Sequence, residues 1–162
     1  YPGFYDEMTI VERVSSSFEK INVQLSGDEL RELQAMVDKV HVHSAVTEYA
    51  VNLARATREP ETVKLDKLKK YIQFGASPRA SVNLILGAKA LAVVRGREYV
   101  LPEDVRDLAP EVLRHRVILS YEALADNIAL EDTVQQLIAA VQTPRIHIGD
   151  PHRDIRQSAN PA

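Results

Sequence analysis

The residue best suited to binding an anion is Arg79, which lies in the stretch Phe-Gly-Ala-Ser-Pro-Arg-Ala-Ser at 74–81. Gly75 permits a sharp backbone turn, Ser77 is a favourable N-cap, and Pro78 suits a first helical position because its φ is fixed and it wastes no amide. Arg79 then falls in the first turn, where the helix macrodipole opposes a cation by roughly 0.3–1 kcal/mol. This arrangement makes sense if an anion is bound there, since free amides and a guanidinium would converge on the same point. The alternative, which an isolated Ser-Pro-Arg would favour, is a solvated arginine.

Other residues that could do chemistry are better explained by structure. None of the six glycines is followed by lysine, so a phosphate-binding G-x-x-x-x-G-K-[ST] loop is absent from the sequence. The adjacent acidic pairs lie near predicted helix starts, where the macrodipole explains them better than acid–base catalysis does. They are Asp6-Glu7, Asp28-Glu29, Glu103-Asp104 and Glu131-Asp132.

The histidines do not follow a metal-binding pattern. His41 and His43 are two residues apart, which points them to different sides of a helix, and the chain has no cysteine. We expect both to be exposed or capping residues. His115, between Arg114 and Arg116, is expected to cap a helix end where the dipole favours positive charge, with an anion contact as the less favoured alternative. We predict no metal site.

Composition narrows the function classes. With 162 residues the chain can form one domain with a real core. A net charge of −3 and an aromatic content of 6% disfavour nucleic-acid binding. No apolar run approaches the roughly 20 residues of a membrane span, so we expect a soluble protein without membrane contact. The lack of cysteine favours the cytoplasm. The sequence starts at Tyr1, which suggests a piece of a longer chain.

The elements that must position Arg79 are helices, because apolar residues recur at helical spacing without strand-rich blocks or repeats. The pattern predicts an all-α helical bundle of about six helices around one core. Predicted helices run from Phe4 to about Ile21, over 27–39, from a cap at Ser44 to before Pro60, briefly over 65–72, from Pro78 to about Arg95, from Pro102 past a kink or break at Pro110, and around 134–141.

Three further expectations concern individual segments. The helix from Pro78 carries apolar residues around most of its circumference, so we expect it to be central, with Gly96 at its end. Residues 59–64 and 120–129 are predicted to be connections. Residues 117–119 are either extended or a continuation of the preceding helix.

Five motifs, in order, resemble the C-terminal lid of MoxR-family AAA+ ATPases. They are the stretch 74–81, Ala88-Lys89-Ala90, Gly96-Arg97-Glu98-Tyr99-Val100, Pro102-Glu103-Asp104-Val105 and Val112-Leu113-Arg114-His115-Arg116. Ala56-Thr57-Arg58 also fits the family pattern, and the resemblance spans residues 1 to about 143. Leu101 departs from the expected Thr or Ser before Pro102, which would lose a cap typically worth about 1 kcal/mol.

The resemblance implies a domain plan. Residues 1–22 would lead from a nucleotide-binding AAA+ core into the lid, residues 23–142 would form the lid, and residues 143–162 would be an extended or disordered tail. Arg79 would be the sensor-2 residue, which reaches the γ-phosphate of ATP. The nucleotide-contacting residues implied by the motif are Gly75, Ala76, Ser77, Pro78 and Arg79.

The resemblance also implies a function and partners. In the intact protein, ATP and Mg²⁺ would be bound mainly by the core, and ATP hydrolysis would drive chaperone-like remodelling or maturation of partner proteins. The fragment alone would be inactive. Implied partners are the core of the same chain, neighbouring subunits of a ring expected to be a hexamer, client proteins and von Willebrand factor A-domain proteins.

Two alternatives remain open from the sequence. One is a non-catalytic helical protein-interaction domain, and a phosphate-binding loop upstream in the parent gene would argue against it. The other is a small helical nucleic-acid module, which the net charge disfavours.

Overall fold

A computed structural model describes residues 1–15 and 22–145. In these ranges the chain forms seven α-helices and one two-stranded sheet, which confirms the predicted all-α class. The elements are α1 (Phe4–Ser15), α2 (Gly27–Lys39), α3 (Ser44–Ala56), β1 (Ile72–Phe74), α4 (Pro78–Val94), α5 (Pro102–Arg114), β2 (Ile118–Leu119), α6 (Tyr121–Ala125) and α7 (Leu130–Ala140). No helix in these ranges combines the length and apolar character needed to cross a bilayer.

Residues 1–33 form one compact unit. Helix α1 confirms the first predicted helix as far as Ser15, and the remaining predicted part, 16–21, lies outside the described residues. Helix α2 has the predicted bounds because Ser26 and Glu29 form a reciprocal capping box. The Ser26 amide donates to Glu29 Oε2 at 2.7 Å, and the Glu29 amide donates to Ser26 Oγ at 3.2 Å.

The second unit begins at Gln34 and contains the hydrophobic core. Helix α4 packs against α3 and α5, and α5 packs in turn against α3 and α7. Each of these helices contributes a stripe of buried side chains spaced three or four residues apart, as an amphipathic helix should. The largest fully buried apolar side chains are Tyr49, Leu53, Leu84, Leu113 and Leu137.

Helix α4 has the predicted extent and packs against both α3 and α5, as expected of a central helix, but only one stripe of its apolar residues is buried. Its buried residues form one stripe of small side chains and a leucine at i, i+4 spacing, namely Ala80, Leu84, Ala88 and Ala92. Val82 and Leu86 are each 55% exposed, and Val94 is 83% exposed. Alanines on the buried face let α3 and α5 approach closely, so one narrow stripe suffices for packing. Gly96, with φ at +71°, follows the end of the helix as predicted.

The cap of α3 lies one residue earlier than predicted. His43 has an extended backbone, and its Nδ1 accepts a hydrogen bond from the Ala45 amide at 3.1 Å. Ser44 is therefore the first helical residue and not the cap. The His43 ring nitrogen accepts the capping hydrogen bond that a serine hydroxyl usually accepts. This confirms the expectation that His43 is a capping residue.

The segment between α3 and α4 differs most from the prediction. The predicted loop at 59–64 contains a 3-10 helix, Pro60–Val63, and the predicted helix over 65–72 is a 3-10 helix, Asp66–Lys70, followed by β1. Strand β1 pairs antiparallel with β2, with Ile72 opposite Leu119. The pairing decides the open question over 117–119 in favour of an extended segment.

In the C-terminal half, the predicted connection over 120–129 was wrong, and of the two alternatives at Pro110, a kink or a break, the break does not occur. The connection expected over 120–129 contains α6, whose cap is Ser120: its Oγ accepts from the Ala123 amide at 3.3 Å and donates to the Lys70 carbonyl at 2.7 Å. Helix α5 runs without a break through Pro110 to Arg114. Burial of Ala109 and Leu113 on either side holds this turn in the core, which offsets the loss of one amide donor.

Asp104 joins the end of α4 to the start of α5. Its carboxylate is fully buried and accepts hydrogen bonds from Arg97 at 2.8 and 2.6 Å, from Arg95 at 2.7 Å, and from the Leu101 amide at 2.8 Å. The bond from the Leu101 amide corrects the expectation that the start of α5 loses a cap at Leu101. Leu101 has no hydroxyl to accept from the helix, but its own amide donates to the Asp104 carboxylate, which stabilises the helix start instead.

Candidate phosphate-contact site at the start of α4

Arg79 lies where the sequence places it, exposed in the first turn of α4. Ser77 occupies the N-cap position with an extended backbone, and its carbonyl accepts from the Ala80 amide at 2.8 Å. Among the described residues, however, the Ser77 hydroxyl makes no capping hydrogen bond, and the first turn of α4 contains no acidic residue. The positive end of this helix dipole is thus not neutralised by its own side chains.

The loop before α4 is held by the end of α3, at a junction made by Thr57, Arg58, Gly75 and Ala76. The Thr57 side chain is fully buried, and its Oγ1 accepts from the Ala76 amide at 2.8 Å. Arg58 Nη1 donates to the Ala76 carbonyl. Ala76 is itself fully buried, so both of its backbone polar groups are satisfied by this junction.

Gly75 is required by a close approach and not by the turn that we expected. Gly75 does not have a positive φ, so its backbone conformation is open to other residues. A Cβ built at Gly75 would lie 2.4 Å from the Thr57 carbonyl oxygen and 2.7 Å from Arg58 Cγ. Because the first of these atoms belongs to the backbone, a side chain here would force the two segments apart.

Gly75→Ala is therefore expected to destabilise the protein by about 1–3 kcal/mol through overpacking at the junction. The free energy of unfolding from denaturant titration measures this change. Gly27→Ala is the matched control, since a Cβ at Gly27 would meet no atom within 4 Å. Equal stabilities for the two variants would contradict the close approach.

Among the described residues, the Arg79 guanidinium differs from those of Arg58, Arg95 and Arg97, which have partners, and shares its lack of a partner with Arg106 on α5. Arg58, Arg95 and Arg97 are all engaged, the first with the Ala76 carbonyl and the other two with Asp104. No hydrogen bond, ion pair or ring contact involves Arg79 within 1–15 and 22–145. A fixed positive charge without a counter-ion, beside an uncapped helix start, is suited to contact an anion such as phosphate.

The remaining candidates have structural roles. His115 follows the last residue of α5 and its Nδ1 lies 3.0 Å from the Glu111 carbonyl, while Arg116 donates to the Val112 carbonyl at 2.6 Å, as expected of a capped helix end. In the part of the chain that the structure describes, no cluster of histidine and acidic side chains is placed to hold a metal ion.

The residues that anchor the loop before α4 could not be identified as such from the sequence. Thr57 and Arg58 belong to the motif Ala56-Thr57-Arg58, and they contact Ala76 across 19 and 18 residues of chain. The only signal in the sequence was the joint presence of Ala56-Thr57-Arg58 and the glycine motif at 74–81.

Comparison with known proteins assigns the chain to a family. Residues 67–141 match the family model of the AAA lid domain. The chain is 40% identical over 147 residues to the chaperone MoxR1 of Mycobacterium tuberculosis, covering 91% of this chain and 39% of that protein. It is 30% identical over 152 residues to protein MoxR of Methylorubrum extorquens, covering 88% of this chain and 42% of that protein.

A solved structure supports the same assignment. The crystal structure of a proposed ATPase from Cytophaga hutchinsonii superposes with a TM-score of 0.74 and 34% identity, covering 90% of this chain and 44% of the other. This chain thus spans about two fifths of the length of these relatives. It is the lid region of a MoxR-family AAA+ protein, which confirms the resemblance seen in the motifs.

Proposed function

We propose that this chain is the sensor-2 lid of an ATP-hydrolysing protein, in which Arg79 contacts the γ-phosphate of bound ATP. The observation that carries the proposal is the exposed Arg79 guanidinium, without a partner among the described residues, at the start of a 17-residue helix whose N-terminal loop is held by buried hydrogen bonds. ATP and Mg²⁺ would be bound mainly by the nucleotide-binding core of the full-length protein.

The chemistry follows from charge. As the γ-phosphoryl group is transferred to water, negative charge spreads over its oxygens, and a guanidinium fork stabilises that charge through two short hydrogen bonds. Arg79 would contribute this stabilisation, while Gly75, Ala76, Ser77 and Pro78 form the backbone next to the phosphate. Closing of the lid on ATP would then be coupled to hydrolysis.

The cellular role that we propose comes from the relatives. One relative is named a chaperone, which supports ATP-driven remodelling or maturation of partner proteins. By this proposal the protein assembles as a cytoplasmic ring, expected to be a hexamer, and acts on clients or on von Willebrand factor A-domain proteins without binding nucleic acid.

Nucleotide discrimination tests the γ-phosphate contact. In the full-length protein, Arg79→Ala is expected to weaken binding of a non-hydrolysable ATP analogue roughly 10- to 150-fold, since charged hydrogen bonds contribute about 1.5–3 kcal/mol, and to leave ADP binding unchanged. Calorimetric titration of the wild type and the variant with both nucleotides measures the change in each dissociation constant. Equal affinities of the variant and the wild type for the ATP analogue would refute the contact and favour the alternative, a non-catalytic helical interaction domain.

A further inference from the structure

We propose that Thr57 is a positioning residue for Arg79, and this inference rests on the sensor-2 function proposed above. The Thr57 hydroxyl anchors the loop before α4 to the end of α3. This fixes the position of the Arg79 backbone relative to the hydrophobic core of the lid.

The hydroxyl is held at both of its hydrogen-bonding functions. Thr57 Oγ1 donates to the Ala54 carbonyl at 2.7 Å and accepts from the Ala76 amide at 2.8 Å. All three residues are fully buried, so water does not compete for these bonds. A hydroxyl that uses its single proton on α3 can only accept from the loop, and this fixes the direction of the Ala76 amide.

Two other contacts restrict the same peptide. Arg58 Nη1 donates to the Ala76 carbonyl, and the Gly75 Cα lies so close to the Thr57 carbonyl that no side chain would fit between them. Residues 75–76 are therefore held against the last turn of α3 from both sides, while the end of α3 is itself in the core through Ala54 and Ala56.

Only two residues separate Ala76 from Arg79, and both are restricted. Ser77 accepts from the Ala80 amide, and the ring of Pro78 fixes its own φ. Ala80 is fully buried at the start of the α4 stripe. The path from Thr57 to the Arg79 backbone thus contains no free hinge, and displacement of a charge-stabilising group by about 1 Å can cost on the order of 100-fold in rate.

The test is turnover of ATP by the full-length protein with Thr57→Val, which removes the hydroxyl and keeps the shape. We expect kcat to fall about tenfold with ADP affinity unchanged, and Thr57→Ser, which keeps the hydroxyl, to restore most of the wild-type rate. Thr133→Val is the matched control. Thr133 is equally buried, and its hydroxyl donates to the Ala129 carbonyl at 3.0 Å, at the start of its own helix, α7.

A double-mutant cycle separates positioning from general stability. If Thr57 acts through Arg79, then Thr57→Val causes no further loss of kcat in an Arg79→Ala background. The same tenfold loss in both backgrounds would overturn the inference and leave the sensor-2 function standing. An Arg79→Ala variant with wild-type turnover would overturn both.

A second readout does not depend on activity. In the present chain, Thr57→Val should speed amide hydrogen exchange at Ala76 at least tenfold, and Thr133→Val should leave it unchanged. Unchanged protection of Ala76 in Thr57→Val would also overturn the inference. Should that variant fail to fold, Arg58→Met removes the bond to the Ala76 carbonyl, and its effect on kcat must likewise vanish in the Arg79→Ala background.

Discussion

Replacing Arg79 with alanine in the full-length protein is expected to lower kcat for ATP hydrolysis by about 100-fold or more. Removing one preorganised donor that faces developing negative charge typically costs 10²–10³ in kcat. Arg79 is suited to this role because it has no competing carboxylate or carbonyl partner among the described residues, so its charge remains available to a phosphate. Steady-state phosphate release at saturating ATP measures the effect.

Two variants define the result. Arg79→Lys keeps the charge but loses the planar fork, so its rate should lie between those of wild type and Arg79→Ala. Arg106→Ala is the matched control, because Arg106 is an exposed arginine on α5. Wild-type turnover in Arg79→Ala, or an equal loss in Arg106→Ala, would remove the basis of the sensor-2 proposal.

Asp104→Asn is expected to destabilise the protein by roughly 3 kcal/mol at neutral pH. The carboxylate is fully buried, and its removal leaves Arg97, whose side chain is 19% exposed, without its bidentate partner. Removing one partner of a buried ion pair typically costs 3–5 kcal/mol. Denaturant unfolding measures the change. Asp107→Asn is the control: among the described residues its half-exposed carboxylate contacts only Arg95, at 2.7 Å, so a loss of at most about 1 kcal/mol is expected.

The same carboxylate predicts a pH dependence. Burial opposes ionisation of Asp104, but hydrogen bonds from Arg97, the Leu101 amide and Arg95 outweigh it and hold the pKa below its ordinary value. An aspartate in the unfolded chain has a pKa of about 3.9. The stabilisation is therefore fully present above that pH and is lost as the pH falls through the lower, folded-state pKa. Wild type should lose stability steeply over this acidic window and Asp104→Asn much less; equal slopes would contradict the assignment.

Much of the fold was predictable because long amphipathic helices depend on local signals. The bounds of α2 follow from the capping box at Ser26 and Glu29, and the start of α4 from Ser77 and Pro78. The short elements were not predictable. Strands β1 and β2 have three and two residues, too few to show a period, and they form only because Ile72 pairs with Leu119 from a distant part of the chain.

For the site, the sequence by itself determined that Arg79 lies in the first turn of a long helix and follows Gly75 and Pro78 in the chain. These are neighbours along the chain, and their backbone preferences act within a few residues. The motif order likewise sufficed to indicate the family.

Only the tertiary structure decided why Gly75 must be glycine and which residues anchor the loop before α4. Thr57 and Ala76 are 19 residues apart, and their contact exists because α3 and α4 pack against each other, which brings the end of α3 to the loop before α4. Which face of α4 is buried was settled in the same way, since a helix apolar on several sides is oriented by its neighbours and not by its own pattern.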